Sequence, residues 1–424
     1  MNRMFKTIVV LLVVMLFASV LSGCKKAAEK QPTGPSSKVE VSSWWTAGGE
    51  AEGLNALIKI YESKYPNVEF INATVAGGAG TNAKAVFKTR MLGGNPPDAF
   101  QVHAGHELID TWVVPGGYVQ PLTDLYKSEG WINSMPKGIL DIVSYKGDYW
   151  SVPVNIHRSN VLWYNKAVFT KYGITPPSNW DQFFDVCDKL KAKGIVPFVM
   201  GTKEGWEAAH VFESVLLGKL GANDYDGLWT GKIKWSDPRV TDALKTFAKI
   251  ASYVNTDHSA LTWDEAGQYL LKGEGAMMIM GDWTNGWFMS VGFKDYGWAP
   301  SPNTKGVFLA LSDSFALPIG CKDQENAVNW LKVLGSKEGQ HDFNKAKGSI
   351  PARTDVDISD YNDYLKSAAK DWQEDTIAPS VVHGAAACEG WATEYKDIMN
   401  LFISKLDVSF TQNALITAAE KYLK

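Results

Sequence analysis

Cysteine and histidine are scarce in this chain, with four and seven copies in 424 residues. No CxxC or HExxH spacing occurs among them, so the sequence carries no motif for a metal site. An excess of either charge is lacking as well. The 42 basic and 46 acidic residues leave a formal charge of −4 with no run of like charges, which offers no electrostatic footprint for nucleic acid. The glycine-rich stretch Gly77-Gly78-Ala79-Gly80 lacks the Lys-Ser/Thr of a phosphate-binding loop and reads as a turn. No internal repeat is present.

Long apolar runs are missing too, with one exception at the start. Thr7 to Val20 is almost wholly apolar and follows the basic residues Arg3 and Lys6. It is short of the roughly 20 residues that a spanning helix needs. It ends at Leu21-Ser22-Gly23-Cys24, a lipobox-type cleavage and lipidation signal, rather than at a basic stop-transfer flank. Residues 1–23 are therefore expected to be a signal peptide, Cys24 the lipidated first residue, and 24–37 a flexible tether rich in Lys, Ala, Pro, Gly and Ser. Of the other cysteines, Cys187 lies in a helical pattern and is expected to pack as a small hydrophobe. Cys321 and Cys388 could form one bridge in an oxidising compartment, though the sequence does not give the pairing.

What the chain has in plenty is aromatic surface, with 17 tryptophans and 16 tyrosines. That is more than a core calls for, so some should line a site. The most telling stretch runs from Val39 to Glu50, a short strand leading into Trp44-Trp45 and then Gly48-Gly49-Glu50. Leu54, Leu57, Ile58 and Tyr61 follow at helical spacing. Strand, glycine turn and helix make the opening half of a βαβ unit, and such sheets bind ligands beyond the carboxyl ends of their strands. Two indoles at a strand end suit a flat ligand face.

Strand and helix alternate from there. Val68–Ala76 reads as a strand, 81–92 as a helix, Asp98–His103 as a third strand and His106–Trp112 as a helix. Gln101 and His103 then share a sheet edge with the tryptophan pair. Tyr149–Lys166 reads as one long extended segment, with Val307–Pro318 and Lys347–Arg353 as two further crossings. Helices are expected at about 180–193, 207–220 and 237–253, and 273–283 is a buried strand opening into Gly281-Asp282-Trp283. About 400 residues beyond the leader exceed what one core sustains, so two lobes are expected.

The chain resembles the extracellular solute-binding proteins of sugar ABC importers over 38–424. The resemblance rests on the lipobox, Trp44-Trp45, the run from Asn95 to Gln101, Ser151-Val152-Pro153, Gly281-Asp282-Trp283 and Lys347–Arg353. A narrower set resembles the glucose/galactose-binding branch, namely Trp44-Trp45 with Glu50, Gln101-x-His103, Lys347–Arg353 and Val381-Val382-His383-Gly384. Cys388 departs from that pattern, where Pro would be expected.

The resemblance implies an α/β, two-lobed periplasmic-binding-protein fold of type II with three crossovers and a ligand cleft between the lobes. Residues 38–156 plus 312–350 would form one lobe, and 157–311 plus 351–424 the other. The first lobe would supply Trp44, Trp45, Glu50, Gln101 and His103. The crossovers would supply Asn155 or His157, then Asp313, then Lys347. Trp263, Trp283 and His383 would close down from the far lobe.

The chemistry suits a pyranose, whose C–H face stacks on indole and whose hydroxyls pair with charged side chains. Bland roles stand beside these: Trp263 and Trp283 as core, Lys347 as a solvated loop lysine, and Asp313 as a turn residue bonding its own backbone. His210, His258 and His341 read as surface residues.

The expected protein is not an enzyme and needs no cofactor or metal. It is a monomer anchored outside the cytoplasm by lipid alone, and it hands a sugar, most simply glucose or galactose, to a permease. A binding protein for a disaccharide or short oligosaccharide would use the same residues. An exported glycoside hydrolase would need two carboxylates facing one bond, which Glu50 and Asp313 could mimic. A surface adhesin would instead show an exposed aromatic patch.

Overall fold

A computed structural model describes residues 37–423, so the leader, Cys24 and the tether up to residue 36 lie outside the described residues. Among the described residues no helix is long and apolar enough to cross a membrane. The chain opens with β1 (Lys38–Ser42), β2 (Glu69–Asn72) and β3 (Ala99–His103), and β1 pairs in parallel with both neighbours. Helices Gly48–Lys64 and Thr81–Leu92 make the connections, as the periodicity predicts. All five residues of β3 are buried, which is how a central parallel strand should look.

A hairpin of β4 (Ser144–Tyr145) and β5 (Asp148–Tyr149) turns at Lys146-Gly147, both in the left-handed region. From it the chain runs through β6 (Val152–Pro153) into β7 (Asn155–Arg158) and on to β8 (Val161–Asn165). The expected long segment is therefore broken. The Arg158 N–H donates to Asp282 Oδ2 at 2.9 Å, and the Asn160 side chain bonds Thr304 and the backbone of Val307 and Leu309. These bonds, with the Ser159 N–H on the Leu309 carbonyl at 2.8 Å, hold the chain where it passes from the sheet of β7 to that of β8.

The second lobe is built on β8, β9 (Val196–Phe198), β10 (Gly275–Met280) and β11 (Tyr296–Pro300), in the order β11-β8-β10-β9. Helix Glu207–Leu220 runs through its interior and is buried on nearly every side. The chain then returns through β12 (Val307–Leu311) and β13 (Asp313–Ala316), and β13 enters the first sheet to give the order β2-β1-β3-β13-β6. A third sheet, β14-β7-β12-β15, uses β14 (Ile350–Pro351) and β15 (Thr376–Pro379).

This third sheet is what positions the site. The three segments that pass between lobes are β6–β7, β12–β13 and the stretch into β14, and β7 pairs antiparallel with both β12 and β14. The crossovers are thus bonded to one another at the floor of the cleft.

Several local expectations shift. The second strand is shorter than Val68–Ala76, and only one α-turn forms at His106–Leu108 before a π-turn at Ile109–Val113. Cys321 and Cys388 are both free, so the bridge left open by the sequence is not made. Cys187 is fully buried in helix Trp180–Lys191 as expected. His210, read as a surface residue, is fully buried, because the helix carrying it has no solvent face at that turn. Most tryptophans serve the core, with Trp45, Trp131, Trp163, Trp330 and Trp391 among the largest fully buried side chains.

Candidate functional site

Between the two lobes and the crossover sheet lies a cavity of about 40 Å³, partly open to solvent. Trp44, Glu50 and His103 face it from the first lobe, and His157, Asp313 and Lys347 from the crossovers. Trp263, Trp283 and His383 face it from the second lobe.

Its hub is Asp313, the first residue of β13 and 2 % exposed, so it is a strand residue and not a self-bonded turn. Gln101 Nε2 donates to Oδ1 at 3.0 Å and Asn155 Nδ2 to Oδ2 at 2.8 Å. Asn155 Oδ1 in turn accepts the Asp313 N–H at 2.8 Å. Gln101 and Asn155, expected as direct contacts, are not among the side chains that line the cavity. Each amide gives one N–H to the carboxylate, and Gln101 Oε1 also accepts the Trp44 N–H at 3.2 Å.

Burial opposes ionisation of Asp313, but the charge of Lys347 and the His157 imidazole outweigh it and hold the carboxyl far below its ordinary range. Lys347 Nζ lies 4.0 Å from Asp313 Oδ2 and 2.6 Å from Glu50 Oε1, so one ammonium serves both carboxylates. Lys347 is not a loop lysine. It is the last residue of helix Lys337–Lys347 and is 2 % exposed, at the helix end where a cation is favoured.

His157 lies between two carboxylates. Its Nδ1 bonds Asp282, and its Nε2 is 3.3 Å from Asp313 Oδ2 without a hydrogen-bond partner. Burial alone would depress its pKa, yet the Asp282 charge raises it. His103 Nδ1 is 2.7 Å from Glu107 Oε2, which also pairs with Lys84 at 2.7 Å. Burial opposes ionisation there too, but Lys84 and His103 bring Glu107 down to about 2. With Nδ1 engaged, a neutral His103 offers Nε2 as an acceptor.

Trp44 and Trp45 part company. Trp44 faces the cavity with its ring 5.0 Å from His103. Trp45 is 1 % exposed and packs 4.8 Å from Phe343 and 5.5 Å from Phe315, so it belongs to the core and its expected ligand contact is corrected. β1 ends at Ser42 and the chain bends at Trp44, where the two indoles take different directions. Trp45 still supports the site, because Lys347 Nζ sits 5.4 Å above its ring. The glycine pair beside them begins helix Gly48–Lys64, with Glu50 in its first turn. A Cβ on Gly49 would come 2.6 Å from the Ala346 carbonyl oxygen, so glycine is needed for helix packing.

In the second lobe, Trp283 starts the helix Trp283–Ser290, and its ring covers Gly281, where no Cβ would fit. His383 lies 5.1 Å from Trp283, with Nε2 3.2 Å from His210 Nδ1. Burial keeps both imidazoles neutral, pushing His210 down to about 3. The loop bearing His383 hangs on Glu213, which accepts the Val381 N–H at 2.9 Å and the Val382 N–H at 3.3 Å. Burial raises Glu213 to about 7.

Gly78 and Ala79, read from sequence as a turn, also line the cavity, as do Trp206 and Leu311, which the sequence did not single out as site residues. Trp206 follows Glu204-Gly205, and that glycine–aromatic pairing was the available signal. The cavity is well below the roughly 300 Å³ and upward of ordinary small-molecule pockets.

The chain matches the model of the family described as bacterial extracellular solute-binding protein over residues 40–341. It is 38 % identical over 435 residues to an uncharacterized ABC transporter extracellular-binding protein of Pyrococcus horikoshii, covering 100 % of this chain and 98 % of that one. It is 33 % identical to a "probable sugar-binding periplasmic protein" of Rhizobium meliloti, covering 82 % and 85 % of the two chains. Among solved structures, the solute receptor AcbH, described as having an exclusive preference for β-D-galactopyranose, superposes with a TM-score of 0.82. That pair is 20 % identical, with 91 % of this chain and 99 % of that chain covered, and the likeness speaks to fold.

Proposed function

The chain belongs to the bacterial extracellular solute-binding proteins, the capture components of ABC importers, and from that premise we propose that its ligand is a monosaccharide of the glucose or galactose kind. The observation that carries this reading is Asp313, a buried ionised carboxylate beneath a cavity walled by Trp44, Trp206, Trp263 and Trp283. An indole wall takes the apolar face of a pyranose, and a fixed carboxylate takes paired hydroxyls through charge-assisted bonds. Lys347 and His157 balance the negative charge, which favours a neutral sugar over an acidic one. A buried acceptor of this kind also penalises a sugar lacking the matching hydroxyl, since it would be left unpaired.

In this reading the lobes comprise 38–156 plus 312–350 and 157–311 plus 351–424. Lipid on Cys24 holds the monomer at the outer face of the membrane, where it delivers sugar to the permease. A hydrolytic reading fits the site less well. A glycosidase acid needs a raised pKa, whereas Asp313 is strongly lowered and shares Lys347 with Glu50.

A thermal-shift panel of mono- and disaccharides on the mature protein tests the proposal, because a ligand that binds only the folded state raises Tm. Glucose or galactose should give the largest rise, and nitrophenyl glycosides should stay intact. No rise with any sugar, or turnover of a glycoside, would overturn it.

A further inference from the structure

Across the cleft, one loop of each lobe meets the other at backbone distance. Gly78, between β2 and helix Thr81–Leu92, donates its N–H to Glu204 Oε2 at 3.0 Å. Trp206 Nε1, at the start of helix Glu207–Leu220, donates to the same oxygen at 3.1 Å. Gly78, Ala79 and Trp206 all line the cavity, so this contact is part of its wall. We propose that Gly78, Glu204 and Trp206 form a gate that limits the ligand to a single sugar ring, a proposal that rests on the sugar reading above.

Three features mark the contact as built. A Cβ at position 78 would fall 2.3 Å from Glu204 Oε2 and 2.5 Å from Trp206 Nε1, so a larger residue would have to displace the Trp206 ring as well as the end of the Glu204 side chain. Ala79 holds a left-handed φ of 50° without being glycine, a conformation that persists only where surroundings impose it. Each loop is tied down within its own lobe before they meet. Thr81 Oγ1 bonds the Gly78 carbonyl at 3.0 Å and Asn82 Nδ2 the Ala76 carbonyl at 2.9 Å. Opposite them, the Thr202 N–H donates to the His258 carbonyl at 2.8 Å and the Lys203 N–H to the Leu261 carbonyl at 3.1 Å.

A carboxylate that accepts two N–H groups from opposite sides forms its full set of bonds only when the lobes meet. A second ring projecting through this wall would have to separate Gly78 from Glu204, losing a bond to a charged acceptor. That loss corresponds to about tenfold or more in affinity. The gate therefore discriminates by length without touching the first ring's hydroxyls.

The test is calorimetric titration of the mature protein, wild type, Glu204→Ala, Glu204→Gln and Gly78→Ala, with glucose, galactose, maltose, cellobiose and lactose. The wild type should prefer its monosaccharide by about tenfold or more over the disaccharides. Glu204→Ala should shrink that ratio to a few-fold, by gaining disaccharide binding and by releasing the monosaccharide faster in stopped flow. Glu204→Gln, which keeps an acceptor oxygen but loses the charge, should fall between wild type and Glu204→Ala. Gly78→Ala should behave like Glu204→Ala, which preserves the test if either variant folds poorly. An unchanged ratio in folded Glu204→Ala, or a wild type that binds disaccharides as tightly as monosaccharides, would overturn the gate and leave sugar capture standing. A wild type that binds none of the five would overturn the sugar reading itself.

Discussion

Between Trp44 and Trp45 the chain sends one indole to the cavity and the next between Phe343 and Phe315. Truncation should therefore have different consequences for binding at the two positions. Trp44→Ala removes a binding wall and should weaken sugar affinity roughly thirtyfold, and because Trp44 is 5 % exposed and packs on His103 it should also lower ligand-free melting. Trp45→Ala leaves a cavity in the core and should cost about 3–5 kcal/mol of folding stability. Titration and ligand-free melting on both variants check this, and the reverse pattern would contradict the assignment. Asp313→Asn should abolish most binding, because one of the two amide donors from Gln101 and Asn155 would then face an NH2 group and Lys347 would keep only Glu50. Unchanged affinity on titration would remove Asp313 from its central place. Glu50, His103, Asp313, Lys347 and His383 line the cavity, and the motifs of the family resemblance are what brought Asp313, Lys347 and His383 forward. For Gln101 and Asn155 the sequence shows a polar residue at the cleft edge but not that its amide bonds Asp313.

Helix Glu207–Leu220 is buried along almost its whole length, which erased the amphipathic stripe that would have marked His210 as interior. The same burial sets a pH dependence. Burial raises Glu207 to about 8 and Glu213 to about 7, so both hold protons that the unfolded chain has shed. The stability they contribute is complete below the ordinary carboxylate pKa and is lost as pH rises through about 7 to 8. His157, also raised, acts in the same direction. His210 and His383 are depressed, so their contribution is lost as pH falls below about 6.5. Stability should thus peak near about pH 6.5 and decline on the alkaline side. Glu207→Gln removes one alkaline burden and should raise Tm by a few degrees at about pH 8.5, with little change at about pH 4. Calorimetric melting of ligand-free protein across pH checks it, and parallel curves for variant and wild type would contradict it. Other elements were legible to within a few residues. The break in Tyr149–Lys166 was not, because distant Asp282 and Val307 compete for its backbone and side chains.

At the scale of the molecule, length announced two lobes, and three extended segments announced the crossovers. That the crossovers bond to one another as β14-β7-β12 is a long-range pairing that no local pattern carries. The leader makes its own prediction: Cys24→Ala should release the protein from membranes or leave an unprocessed precursor, and fractionation with mass spectrometry of the mature N-terminus checks it. A wild-type protein without lipid would contradict the anchor. The central claim is that one sugar is gripped by both lobes at once. A cavity of about 40 Å³ is small for a sugar ring, so the ligand-free protein is expected to sample a more open form, and a ligand touching both lobes would favour closure. Small-angle X-ray scattering of the mature protein, without sugar and at a sugar concentration shown by titration to saturate, measures this directly. The account predicts a smaller radius of gyration with sugar; an unchanged profile at demonstrated saturation would contradict it.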